Sequence, residues 1–414
     1  MLIFYGTGMI LGAGIYSIIG QAAGIAAEKI WQGFVIAGVA ALLTALSYAE
    51  LATMYPAAGG DYIYLKNAFS KQRWFAASVG IIVAFAGCAS AATVSLAFAS
   101  YLQHFFFLPR LFVAASVLIF FTAVNIVGIK ESGWINVIFT VIEVFGLILF
   151  IWLGMQNPKF GEALFTLPNF STVSSAALII FAYLGFENIV NLSEETIEPE
   201  KNIPRAIFLS LLISMIIYVL VSLAAVALMP SEQLAHTESA LYDAAMITSK
   251  RLAGILGGIA LFSTANTALI GLISTSRILY GISKDKSLPY VLSKTLTKRK
   301  TPWVAALVSL VITILLLPLG KVKTLASIAS FSTMIAFISI NVALIRLRQI
   351  EPKKERPFRI PFTIGTLPIL PLLAIGTCIV FIFQFDRQIY IITLLAFACS
   401  AGIYLISQRF ITKR

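Results

Sequence analysis

Residues 178–205, LIIFAYLGFENIVNLSEETIEPEKNIPR, decide how the rest of the chain is read. An apolar helical pattern enters at Leu178, meets Gly185 and then carries Glu187 among neighbours suited to hydrocarbon. A glycine weakens a helix interior by about 1 kcal/mol relative to alanine, and an acid at the centre of a membrane span costs about 2.5–3.5 kcal/mol on insertion scales. Both features in one stretch predict a helix that is deliberately interrupted. A second interruption lies near the N-terminus, where residues 6–20, GTGMILGAGIYSIIG, place Gly6, Gly8, Gly12 and Gly14 inside another apolar segment.

Composition explains why these breaks matter. The chain has 414 residues, of which 59% are hydrophobic and 12% charged, with mean hydropathy +0.94. Such a chain belongs in a bilayer, where each span needs about 20 apolar residues to cross about 30 Å of hydrocarbon. Twelve segments qualify: 5–27, 31–56, 74–103, 108–129, 133–154 and 171–193, then 204–229, 252–281, 302–319, 323–346, 365–385 and 388–408. The gaps leave no room for an independent globular domain, so one transmembrane domain over 1–414 is expected. The first segment lacks the charged start of a signal peptide and is followed at once by another span, so it reads as a retained helix. Its start close to Met1 implies either a very short tail or a true start further upstream. Interrupted spans in corresponding halves of a membrane protein are the pattern of a midplane binding site built from half-helices.

Charge distribution sets the expected orientation. With the N-terminus inside, 22 of the 30 Lys and Arg fall on the inner side, so both termini are expected in the cytoplasm of a multi-pass cell-membrane protein. The net charge of +12 and the basic runs TKRK and PKKERPFR are thus topology signals, and no nucleic-acid partner is expected. Cys88, Cys378 and Cys399 are isolated in apolar spans, and His104 and His236 fall in outward loops. No cluster offers a metal centre, a cofactor site or a nucleophile with its base, which argues against an enzyme.

Taken along the chain, the second span ends in LSYAELATMYPAAGGDYIYLKNAF. Glu50, Pro56, Gly59 and Gly60 close that helix, and YIYLKNAF reads as an amphipathic interfacial helix. Ser90, Thr93 and Ser95 with Gly87 form a small-residue packing face in the third span. The fifth span holds Glu143 deep in hydrocarbon, and the eighth presents Ser263, Thr264, Asn266 and Thr267 in one polar turn. Those hydroxyls either bond their own helix carbonyls or face a site.

GTGMILGAGIY, YAEL with PAAGGDYIYL, KESG, FAYLGFE with EETIEPEKNIPRAI, and SRILYGISKD together resemble the amino acid, polyamine and organocation transporter family over nearly the whole chain. The resemblance implies an all-α membrane protein with ten core spans in two inverted repeats, roughly 1–155 and 170–348 within 1–348. Two peripheral helices over 361–410 complete the 12. It also implies discontinuous first and sixth spans and secondary transport by alternating access, proton-coupled or by exchange. An α-amino acid would meet the positive end of the half-helix after Gly14 with its carboxylate, and the carbonyls near Tyr183 with its ammonium. The positions that match the family site are Gly12, Ala13 and Gly14, then Phe181, Ala182 and Gly185, with Glu187 beside them. Phe181 stands where relatives carry a gating aromatic.

Glu187 either caps the second half of its span or meets a cationic substrate or a proton. Glu143 stands where several proton-coupled relatives carry lysine. With Ser263 and Thr264 it is the expected coupling group for a proton or sodium ion. No arginine or lysine lies deep in the site to meet an acidic side chain, which favours moderate side chains. A cationic amino acid or polyamine carrier is the nearest alternative, and a nutrient sensor on the same scaffold a further one, although the ends of this sequence offer little room for a signalling tail. Membrane lipid surrounds all these readings, and none fixes an oligomeric state.

Overall fold

The computed structural model describes residues 2–56, 60–128, 133–165, 167–192, 196–297 and 299–411. Gly59, residues 130–132 of the KESG motif, Glu194, Glu195 and the charges Lys130, Lys298, Lys413 and Arg414 lie outside the described residues.

Helices dominate in chain order: α1 (Leu2–Leu11), α2 (Ala13–Ala26), α3 (Ile30–Met54), α4 (Gly60–Ala68), α5 (Arg73–Leu102), α6 (Arg110–Val127), α7 (Gly133–Met155) and α8 (Phe170–Tyr183). A 3-10 segment, Phe186–Leu192, follows α8. Then come α9 (Pro199–Leu228), α10 (Ser231–Ala235), α11 (Ala240–Thr248), α12 (Lys250–Lys284), α13 (Trp303–Leu316) and α14 (Val322–Ile350). A two-residue antiparallel pair, β1 (Thr363–Ile364) and β2 (Leu367–Pro368), turns at Gly365 and leads into α15 (Ile369–Ile382) and α16 (Arg387–Ile411).

Among the described residues, nine helical runs are long and apolar enough to cross a membrane, and Trp303–Leu319 and Ile369–Ile382 are shorter apolar helices. The longest run, Leu2–Met54, is not one rod: it breaks at Gly12, and Ala27, at φ 52°, ends α2 before α3 begins. Local chemistry sets other ends. Asn169 caps α8 by accepting from the Thr172 N–H at 3.3 Å while Thr172 Oγ1 accepts from the Asn169 N–H at 3.2 Å. Ser249 caps α12 through the Leu252 N–H.

Burial sorts the helices into an inner set and an outer one. In α2, Ile15, Tyr16, Ile18 and Ile19 are all buried, as expected of a helix that is apolar on every side and sits centrally. By contrast α16 exposes Leu394, Leu395, Leu405 and Ile406, and α6 exposes Phe112, Ile119 and Phe120, surfaces suited to lipid. Close backbone approach holds the inner set: a Cβ at Gly87 of α5 would lie 2.2 Å from Thr275 Oγ1 of α12, so the small-residue face of the third span is a packing face. Between α3 and α14, Asn341 accepts from Ser47 at 2.6 Å and donates to Thr44 at 3.3 Å.

Two expectations need correction here. The YIYLKNAF helix exists as α4, but Tyr62, Tyr64, Leu65 and Ala68 are buried, so these side chains pack against the protein and do not serve as lipid anchors. Lys66 holds Asp285 at 2.5 Å, and the Tyr62 hydroxyl donates to the same carboxylate. Glu50 is also more than a helix end. Wholly buried, it receives the Arg348 Nε at 2.9 Å and Nη2 at 2.5 Å, with the Ile360 N–H at 2.8 Å and Arg356 Nε at 3.3 Å. Three hydrogen bonds, from Arg348 Nε, Arg348 Nη2 and the Ile360 N–H, with the Arg356 guanidinium as a further charge contact, compensate the buried carboxylate.

Candidate functional site

The two helix breaks face each other. Gly12, at φ −43° and ψ −152°, separates α1 from α2, and Gly185, at φ +123°, stands between α8 and the 3-10 segment. That φ is open to glycine and strained for other residues. Space demands glycine as well, since a Cβ at Gly185 would lie 2.5 Å from the Met9 carbonyl oxygen. At Gly14 the added atom would lie 2.6 Å from the Ala182 Cα, so the start of α2 and the end of α8 touch backbone to backbone.

Tyr218 of α9 ties the breaks together. Its hydroxyl donates to Ile10 O at 2.5 Å and Ala182 O at 2.9 Å, sharing one proton between carbonyls near the ends of α1 and α8. Helix ends carry carbonyls without intrahelical partners, and a buried one needs a donor. At the start of α2 the Ala13 N–H donates to Thr267 Oγ1 of α12 at 2.9 Å, and Ser17 Oγ donates to Ala13 O at 2.7 Å. The crossing therefore presents the positive end of α2 beside the negative end of α8.

Gly12, Ala13, Gly14, Ala182 and Gly185 thus come together at one place. Phe181, adjacent in the chain, is buried at the end of α8. Glu187 is half-buried, and its Oε2 accepts the Gly185 N–H at 2.9 Å, a cap on the segment after the break. Glu143 of α7 is wholly buried, and neither carboxyl oxygen has a hydrogen-bond partner among the described residues. Ser263 of α12 lies beside it without a formed bond, its own hydroxyl unpartnered, and the carboxyl acts electrostatically on the Tyr16 and Tyr218 hydroxyls. One turn away, Thr140 meets Gly8 of α1, which places this stretch of α7 against the first broken span. Thr264, also buried, donates its hydroxyl proton to Ala260 O at 2.7 Å on its own helix.

Sequence reasoning missed Tyr218. It sits in a uniform apolar stretch, and only the three-dimensional approach of two carbonyls gives its hydroxyl a purpose. Thr267 carried a signal, as one of four polar residues in a single turn of α12.

A bundle of apolar helices, with two interrupted helices meeting backbone to backbone, is a multi-pass membrane protein. Residues 1–411 match the amino acid permease family, and the chain belongs to it, within the amino acid, polyamine and organocation transporters that its motifs resemble. It is 31% identical over 404 residues to the branched-chain amino acid permease BcaP of Bacillus subtilis, covering 91% of this chain and 85% of the relative. It is 26% identical to the methylthioribose transporter of the same organism over 99% of this chain and 92% of the relative. To the rat large neutral amino acids transporter small subunit 2 it is 29% identical, over 88% of this chain and 72% of the relative. These relatives are transporters and not enzymes.

Proposed function

We propose that this permease is a secondary active transporter that moves amino acids with neutral side chains across the cell membrane by alternating access. The observation that carries the proposal is the crossing itself: Gly14 against Ala182, with the Tyr218 hydroxyl bridging Ile10 and Ala182. A zwitterion fits between the ends, its carboxylate toward the N–H groups of Gly12, Ala13 and Gly14, its ammonium toward the carbonyls around Phe181 and Ala182. Entry of the carboxylate competes with Thr267 for the Ala13 N–H, so binding and the α2–α12 contact are linked. Phe181 and Gly185 border the side-chain space, and Glu187 holds the second half of the sixth span in register. Relatives named for branched-chain and large neutral amino acids support the neutral assignment.

The proposal takes the chain as one domain of 12 spans, with Leu2–Met54 counted as two and the two shorter apolar helices as one each. Residues 1–155 and 170–348 form inverted repeats and 361–410 the peripheral pair. The packing of α3 on α9 and of α5 on α12, elements at equivalent places in the two halves, supports that layout. Both termini are assigned to the cytoplasm, which the lysine and arginine bias supports. Glu143, with Ser263, binds the coupling proton. Thr264 Oγ1 commits its proton to the α12 backbone and offers its oxygen lone pairs to the same coupling site.

Cationic substrates are the second reading. They need a carboxylate to meet the extra positive charge: Glu187 already accepts the Gly185 N–H, which leaves Glu143 as the candidate for that role. Reconstituted counterflow with labelled leucine, lysine and putrescine, run with and without an imposed proton or sodium gradient, tests the assignment. Saturable leucine exchange is expected. Lysine or putrescine exchange without leucine exchange transfers the site to cations, and binding without exchange makes the chain a sensor.

A further inference from the structure

The mechanism above leaves one half-buried acid unused, with a carboxyl oxygen shut off from solvent. Asp61 stands in the first turn of α4, and its Oδ1 has no hydrogen-bond partner and no contact with solvent. It faces the hydroxyl of Tyr48 on α3, a side chain 1% exposed, whose oxygen likewise has no partner among the described residues. The Tyr64 hydroxyl is a third unpartnered buried oxygen, and its group acts electrostatically with Asp61. Tyr48 in turn packs edge-on against Phe186 at 5.6 Å and against Phe337 at 6.1 Å. Next to Asp61, Gly60 is so close to the 3-10 segment after the Gly185 break that a Cβ there would lie 2.9 Å from Val190. The acid therefore sits in the seam where α4 closes on the second half of the sixth span.

We propose that Asp61, with the Tyr48 hydroxyl, is a second proton-binding site, and that its protonation holds α4 closed against the 3-10 segment Phe186–Leu192. Two buried phenols and a carboxyl without a cation make a pocket that accepts a neutral acid and opposes a carboxylate. The surrounding charges are committed elsewhere. On α4, Lys66 and Tyr62 hold Asp285 at the end of α12, where Arg73 of α5 also acts. On α3, Tyr55 donates to Glu351. On α14, Arg346 stacks over Phe69 at 4.7 Å. The remaining facing group, Glu187, is itself acidic and offers Asp61 no positive charge.

Burial pushes the Asp61 carboxyl up to about 6, and the Tyr48 hydroxyl offsets part of that rise. The sign follows from linkage. The closed seam binds the proton more tightly than an open one does, so closure is fully supported below about pH 4 and loses that support as pH rises through about 6. From an exposed carboxylate near about 3.9, the closed-to-open ratio falls by about a hundredfold across that window. The inference rests on the transport reading only for the side of the membrane on which the seam opens.

The test is the accessibility of a thiol at the seam. In Val190→Cys with Cys399→Ala, purified in detergent, alkylation by a charged thiol reagent is followed from pH 5 to 7.5. Each rate is normalised to that of the denatured protein to remove the thiol's own titration. The expected result is protection at pH 5 and a rise of 10-fold or more through about pH 6. Adding Asp61→Asn, which stays neutral, is expected to leave the thiol protected throughout. A normalised rate that does not change with pH, or the same rise with and without Asp61→Asn, overturns the proposal. Should Asp61→Asn fail to fold, Tyr48→Phe replaces it. Loss of the hydroxyl that stabilises the carboxylate is expected to move the rise to higher pH, and an unmoved rise counts against the site. Leucine counterflow in the same proteins reports separately on the transport reading.

Discussion

Replacing Gly14 by alanine tests the crossing at its tightest point. The new Cβ would stand 2.6 Å from the Ala182 Cα, 3.2 Å from its oxygen and 3.3 Å from its carbonyl carbon, all backbone atoms. Carbon atoms rest about 3.5–4.0 Å apart, so α2 and the end of α8 must separate by about 1 Å. Ala182 has little freedom to yield, because its oxygen is held by Tyr218 at 2.9 Å. Overpacking of this kind costs about 1–3 kcal/mol, and an error of about 1 Å in a positioned site costs about 100-fold in rate. Gly14→Ala is therefore expected to lower saturable uptake by about 10- to 100-fold in proteoliposomes, on the scale of those costs, and Gly14→Leu to abolish it. Both variants are expected to insert and to run as single species on size exclusion. Gly402→Ala is the control, since nothing lies within 4 Å of a Cβ there, and its kinetics should match the parent protein. Unchanged KM and kcat in Gly14→Ala would refute the placement of the site.

Tyr218→Phe keeps the ring contacts with Phe34 and Tyr183 but leaves the Ile10 and Ala182 carbonyls without their donor, at about 1–3 kcal/mol. Lower thermal stability together with reduced uptake is expected, and retention of both would deny Tyr218 its tie. Glu143→Gln is expected to abolish accumulation driven by a proton gradient while counterflow persists; an unchanged response to the gradient sinks the coupling role. Arg348→Met leaves the buried Glu50 with the Ile360 N–H and the Arg356 charge and is expected to cost about 3–5 kcal/mol, read as a fall in melting temperature in detergent. Combining it with Glu50→Leu should recover part of the loss, and a melting temperature equal to the parent's in the single variant would show that the pair is not needed.

Glycines and acids in apolar runs are local signals, which is why both breaks were legible at Gly12 and Gly185 before any geometry was known. Helix ends fell close to expectation for the same reason: the predicted 74–103 span is Arg73–Leu102, and 252–281 lies within Lys250–Lys284. What stayed hidden is whatever compensates a local cost from far along the chain. Glu50 and Arg348 are 298 residues apart, and Tyr218 reaches Ile10 across 208. Helix propensity and hydropathy carry no term for such partners, so Glu50 read as a helix end and Tyr218 as one more apolar residue.

The contrast also ranks the two acids of the site. Glu187 is compensated from two residues away, by the Gly185 N–H, and that bond explains its presence without any ligand. Glu143 is compensated from nowhere among the described residues: α1, α9 and α12 all pack against α7, yet none donates to its carboxyl. Burying a charge without a donor is costly, so a carboxyl in this setting is suited to carry a proton or to meet an arriving cation. That contrast, and not mere depth in the membrane, is why we propose Glu143 for the coupling proton.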